Sequence, residues 1–177
     1  MKIIPILKKA VVLLVSVFLL NIMQTAVFPY FALGGVVPNL LIILTSFYGF
    51  MRNRREGMIA GMFCGLIIDF SSGMLFGTHI IILLTIGFLN GFFRKVFFGD
   101  DVKLPILFVG ISDVAYGLYI YLISFAFRQN DSFYFYLMNI IIPEAVYSVM
   151  ISFVLYFIYA RVFIWLDREE RKVEHIL

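Results

Sequence analysis

Between Ala10 and Met51 the chain reads AVVLLVSVFLLNIMQTAVFPYFALGGVVPNLLIILTSFYGFM, 42 residues without a charged side chain. A membrane-crossing helix takes about 20 apolar residues at roughly 1.5 Å each, so this stretch predicts two such helices. Pro29, Gly34, Gly35 and Pro38 fall where the turn between them belongs. The first span is expected over 10–30 and the second over 36–51. Lys2, Lys8 and Lys9 precede the run, as basic residues precede a secretory signal core. The apolar core does not stop at signal length, however, and no small-x-small cleavage site closes it. The first helix is therefore expected to be retained.

Outward from this stretch the same pattern repeats. A third span is expected over 57–75, interrupted only by Asp69, and a fourth over 77–93, ending at Arg94 and Lys95. A fifth fits 104–127, between Lys103 and Arg128, with Asp113 inside it. The aromatic segment from Ser132 to Met138 suits the membrane interface, where Tyr rings are at home. A sixth span then covers 139–163. Six spans in one polytopic domain, residues 1–177, is the preferred count; five results if the short second or fourth segment is re-entrant. Composition agrees. Apolar residues make up 63% and charged residues 14% of the chain, against roughly 25% charged in soluble domains. That leaves too little polar surface to coat a water-soluble fold, whereas lipid tolerates an apolar exterior.

With six spans, one side of the bilayer receives Lys2, Lys8, Lys9, Arg52, Arg54, Arg55, Arg94, Lys95, Lys103, Arg161, Arg168, Arg171 and Lys172, which is thirteen of the fourteen basic residues. The other side receives Arg128 alone. The positive-inside rule assigns the rich side, and with it both termini, to the cytoplasm. Five spans would scatter these charges.

Three acids fall within the expected spans: Asp69 about twelve residues into the third, Asp113 about nine into the fifth, and Glu144 near the outer end of the sixth. An ionised carboxylate at mid-bilayer costs about 2.5–3.5 kcal/mol on insertion scales, so each is expected to face protein or water. Two readings fit. The acids line an ion path or polar pocket, or they hydrogen-bond neighbouring helices through Asn39, Asn90, Ser112 or Tyr147. Gly57, Gly61 and Gly65 recur at four-residue spacing on the third helix, and Gly87 and Gly91 on the fourth. Such spacing serves close helix packing inside the bundle or against a partner. The turn from Arg52 through Arg54, Arg55 and Glu56 to Gly57 reads either as a solvated turn that snorkels to lipid phosphates or as a dock for a cytoplasmic protein. Asp167 and Arg171 stand at helical i,i+4 spacing in the charged tail.

Other classes are excluded or left without support. Cys64 has no disulfide partner, His79 and His175 lie far apart, and no Cys/His cluster suggests a metal. A net charge of +3 does not suit a nucleic-acid binder. There is no P-loop, HExxH or GxSxG motif, and no extramembrane segment long enough for an active site. No cofactor and no enzymatic activity are expected.

Several stretches together resemble the rod shape-determining membrane protein family MreD. They are Pro38-Asn-Leu-Leu, Arg52-x-Arg-Arg-Glu-Gly57 and Gly61-x3-Gly65-Leu-Ile-x-Asp69-x2-Ser-Gly73, followed by Asn90-Gly-Phe-Phe, Lys103-Leu-Pro105, Ser112-Asp113-x2-Tyr-Gly117 and Pro143-Glu-x2-Tyr147. The order and spacing of these motifs, more than any one of them, carry the resemblance over nearly the whole chain. It implies a six-helix membrane fold like that of the S-components of energy-coupling-factor transporters. It also implies a non-catalytic role in bacterial cell elongation. The implied partners are MreC, bound through the membrane helices, the MreB filament, a SEDS glycosyltransferase and a class B penicillin-binding transpeptidase. The alternative on the same fold is a small-molecule-binding transporter subunit. S-components typically carry an Ala-x3-Ala dock on the first helix, where this chain has only Ala10 and Ala26.

Overall fold

In this computed structural model residues 3–73, 75–96, 103–128 and 133–174 are described. The described residues are almost entirely helical: α1 (Ile3–Ile22), α2 (Leu40–Phe47), α3 (Arg54–Ser72), α4 (Thr78–Val96), α5 (Lys103–Arg128), α6 (Phe133–Tyr136) and α7 (Ile142–Glu174). The stretches Ile6–Phe31, Lys103–Phe125 and Phe133–Arg168 are long and apolar enough to cross a membrane. Leu40–Arg52 and Thr78–Arg94 are shorter apolar helices.

All eight residues of α2 are buried. Its sequence, Leu-Leu-Ile-Ile-Leu-Thr-Ser-Phe, is apolar on every face, which marks a helix surrounded by others rather than one with a single buried stripe. The core confirms this position. Leu13, Val17 and Leu20 of α1, Ala60 and Cys64 of α3, Leu83 and Ile86 of α4, Val109 of α5, and Tyr159, Phe163 and Leu166 of α7 belong to one cluster with α2. The outer helices turn their remaining apolar side chains outward, Val11, Val15, Phe18 and Ile22 on α1 among them.

Two of the prolines in helical stretches, those preceded by more than one turn of helix, explain two irregularities. A proline ring clashes with the carbonyl four residues back and donates no N–H. Pro29 and Pro143 would meet the carbonyls of Thr25 and Asn139, and wide π-turns at Met23–Val27 and Leu137–Ile141 contain those two residues. The helix that ends in α7 therefore begins at Phe133, ahead of the expected span at 139, and the aromatic segment is its first turn. The expected turn between the first two spans is present as a tight hairpin. Leu33 and Val36 exchange backbone hydrogen bonds of 3.0 and 3.1 Å around Gly34 and Gly35, both at positive φ.

Helices α3 and α4 touch backbone to backbone along the glycine rows. A Cβ at Gly65 would lie 2.5 Å from Ile80 Cα, and one at Gly61 would run into the Leu83 carbonyl. Near the other end three segments meet: a Cβ at Gly57 would stand 2.5 Å from Gly49 Cα and 2.6 Å from the Gly87 carbonyl oxygen. A Cβ at Gly87 would strike the Gly57 carbonyl, and one at Gly91 the Arg54 backbone. All five glycines thus face another helix of the same chain, as small residues do where helices approach closely in lipid. Gly110 differs, since a Cβ there would meet only the Cγ2 of Val149, at 2.9 Å.

This contrast predicts two outcomes for the same substitution. Gly61→Ala overpacks a contact that no rotamer change relieves and costs about 3 kcal/mol or more, lowering the unfolding midpoint of the detergent-purified protein by roughly 10 °C. In Gly110→Ala the gain in helix propensity, about 1 kcal/mol, offsets a small side-chain shift, and the midpoint stays near wild type. Equal midpoints for the two variants would contradict the seam.

Candidate functional site

The first backbone N–H groups of a helix have no partner within it, and α2 begins inside the bundle. Every one of them is met by a side chain. The Leu40 and Leu41 N–H groups donate to Gln24 Oε1 at 2.8 and 3.4 Å. The Ile42 N–H donates to Asn39 Oδ1 at 3.3 Å, and the Asn39 N–H donates to Ser148 Oγ at 2.9 Å. The Asn39 amide nitrogen then donates to Glu144 Oε1 at 3.4 Å. Asn39 and Glu144, both expected to matter, are brought together here. Gln24 and Ser148 were not anticipated; the signal for Gln24 was a polar cluster, Asn21, Gln24 and Thr25, in an otherwise apolar helical stretch.

Asp69 takes no part in that group. Because α3 ends at Ser72, Asp69 lies in its last turn, shallower than counting from an expected end at 75 implied. Its carboxylate accepts the N–H groups of Gly77, His79 and Ile80 at 2.9, 3.1 and 3.2 Å and contacts His79 Nδ1 at 2.8 Å. The acid thereby caps the start of α4 across the hairpin, where a negative charge also suits the helix dipole. None of the four neighbours expected for the acids serves it. Asn90 and Ser112 are used otherwise. The Asn90 amide donates to Ser46 Oγ at 3.1 Å and to Ser112 Oγ at 2.9 Å, joining α4, α2 and α5 mid-bundle. Tyr147 donates to the Phe31 carbonyl at 3.0 Å.

At the opposite end the turn before α3 is not a uniformly solvated one. Arg52 is buried; its guanidinium donates to Glu56 Oε2 at 2.8 Å, pairs with Asp167 of α7 and lies over the Phe163 ring. Lys9 of α1 donates to Glu56 Oε1 at 2.9 Å. The Asn53 side chain caps α3 by accepting the Glu56 N–H at 3.0 Å. Three parts of the chain far apart in sequence are tied by charge at one end. Asp167 is engaged with Arg52, while the Arg171 side chain lies outside the described residues. Arg54 and Arg55 remain exposed, Arg54 with its guanidinium 4.7 Å from the Phe88 ring centre.

Glu56 sits outside the apolar part of α3. Burial disfavours its charged form, but the hydrogen bonds from Arg52 and Lys9 outweigh that and hold the carboxyl below its ordinary value. A depressed folded value means that the stabilisation is complete above the ordinary value of 4.5 and is lost as the pH falls through the folded one. Unfolding midpoints of wild type and Glu56→Gln checks this. Wild type is more stable by a constant margin near neutral pH, and the margin closes in acid. A margin that widens in acid would contradict the arrangement.

Among the described residues there is no group of three or more His, Cys, Asp or Glu able to hold a metal. Comparison with curated proteins and with solved structures gives no match. The family described as rod shape-determining protein MreD matches residues 7–165. With its apolar helices packed around a buried one, the chain is an all-α membrane protein and belongs to the MreD family of rod shape-determining proteins.

Proposed function

We propose that this chain is a non-catalytic scaffold of the bacterial cell-elongation complex, crossing the cytoplasmic membrane six times with both termini in the cytoplasm. It binds MreC through its membrane helices. Directly or through MreC it gathers the MreB filament, a SEDS glycosyltransferase and a class B penicillin-binding transpeptidase, supporting lateral peptidoglycan synthesis.

The six-span reading draws on α2. Its start is bonded to Ser148 and Arg52, just past its end, is paired with Asp167. Those two residues of α7 are 19 positions apart (167 − 148), or about 28 Å of helix, close to the roughly 30 Å of a hydrocarbon core. A segment joining those two levels supports a crossing over a re-entrant loop. The same charged end carries Lys9, Arg52, Arg54 and Arg55, which the positive-inside rule places in the cytoplasm.

One observation carries the scaffold reading: most polar groups of the described interior bond to neighbouring helices of the bundle, while α1 and α7 direct apolar stripes outward. On α7 that stripe is Val146, Met150, Phe153, Phe157 and Ile164, all exposed. A partner's single span recognises such a stripe by packing. The exposed Arg54 and Arg55 are among the cytoplasmic groups open to the filament side.

Depletion in a rod-shaped host tests the proposal. Cells are expected to round up and lateral incorporation of wall precursors to fall. Cells that kept their shape but lost uptake of a vitamin would favour a transporter subunit and overturn the scaffold.

A further inference from the structure

Asp113 of α5 is 3% exposed, and neither of its carboxylate oxygens takes a hydrogen bond. The other acids of the described interior are all engaged: Asp69 by α4, Glu56 by Arg52 and Lys9, Asp167 by Arg52, and Glu144 by Asn39. A buried carboxylate without a donor is unfavourable in a medium of low dielectric. The groups around it carry no positive charge to offset the acid. Glu144 of α7 is within electrostatic reach of Asp113, and Ser148 beside it is a neutral hydroxyl that accepts the Asn39 N–H and keeps its own proton to donate. Tyr116, one turn along α5, feels both acids, and on its other side it meets the His79 ring of α4, which is held by Asp69. No lysine or arginine is among the groups acting on Asp113.

We propose that Asp113 and Glu144, with the oxygens of Ser148, Asn39 and Tyr116, form a binding site for one small hard cation in the outer half of the bundle.

The donor set decides the class. Two carboxylates and neutral oxygens suit sodium, magnesium or calcium, whereas zinc and its neighbours want imidazole or thiolate ligands. Size points the same way. The Asp113 oxygens are closed off from solvent, which leaves no room for an organic ammonium. Glu144 is half-buried near the start of α7 and offers the way in, while Asp113 forms the floor. The cation would neutralise two acids that no basic side chain among the described residues is seen to neutralise. This inference is independent of the scaffold reading, because it concerns occupancy of the bundle and not what the bundle binds on its outside.

The test uses the full-length protein purified in detergent. Unfolding midpoints are measured in sodium, magnesium and calcium chlorides against choline chloride at matched ionic strength. At least one of the three cations should raise the midpoint progressively with its concentration, as a ligand of the folded state does. Asp113→Asn and Glu144→Gln should each abolish that rise. Equilibrium dialysis of wild type against radioactive sodium or calcium should find one ion per chain, and this arm stands even if a variant fails to fold. Identical midpoints in all four salts, or a cation effect that survives both substitutions, would overturn the site. So would a midpoint that rises only with acid, since protons alone would then neutralise the pair.

Discussion

A helix that begins inside a membrane protein has to find partners for its first N–H groups, because lipid supplies none. That constraint falls on α2, and much of the bundle is arranged around meeting it. Gln24, from the widened turn after α1, takes two of the four N–H groups, Asn39 takes one, and Ser148 from α7 takes the last. These bonds set the distances between α1, α2 and α7 at one end. At the other end Lys9, Arg52, Glu56 and Asp167 join the same three regions by charge. Between the two ends α2 is purely a packing element, and its only polar side chains are spent on the Leu41 carbonyl and on Asn90.

The remaining helices are held by contact more than by polar bonds. Burying an apolar side chain against another helix gains little over leaving it in lipid, so close packing and a few internal bonds carry the association. The glycine rows of α3 and α4 permit backbone contact over most of their length, and Gly49 extends that contact to the end of α2. Asp69 closes the hairpin from the far side by capping α4. A rigid pair of this kind gives α2 one firm wall, against which α5 and α7 complete the enclosure.

Much of this was legible in the sequence, and what was not has a common cause. The uncharged run from Ala10 to Met51 announced two helices, and Gly34-Gly35 announced their turn. The four-residue glycine spacing announced close packing, since periodicity is a local signal. Partners at long range carry no such signal. Asn39 and Ser148 are 109 positions apart, and Arg52 and Asp167 are 115 apart. Arg52 read as a surface charge because its neighbours in sequence are charged; its burial depends on α7 folding back over it. Asp69 was expected either to line a polar path or to bond an amide or hydroxyl of a neighbouring helix, yet backbone N–H groups at a helix start serve it. The enclosure of α2 was hinted at by its uniform apolarity, which a solitary span would share.

The proposed scaffold divides its labour: most polar groups inside build the bundle, and the apolar stripes outside would make the contacts that serve its role in cell shape. Site-specific photo-crosslinking in cells addresses that division directly. A photoreactive residue is placed in turn at Val15 and Phe18 of α1, at Met150 and Phe157 of α7, and, as buried controls, at Leu44 and Leu83. The account predicts adducts with the single span of MreC from one of the outward stripes and none from the buried positions. Absence of adducts from every outward position, with the protein present at its normal level, would contradict it.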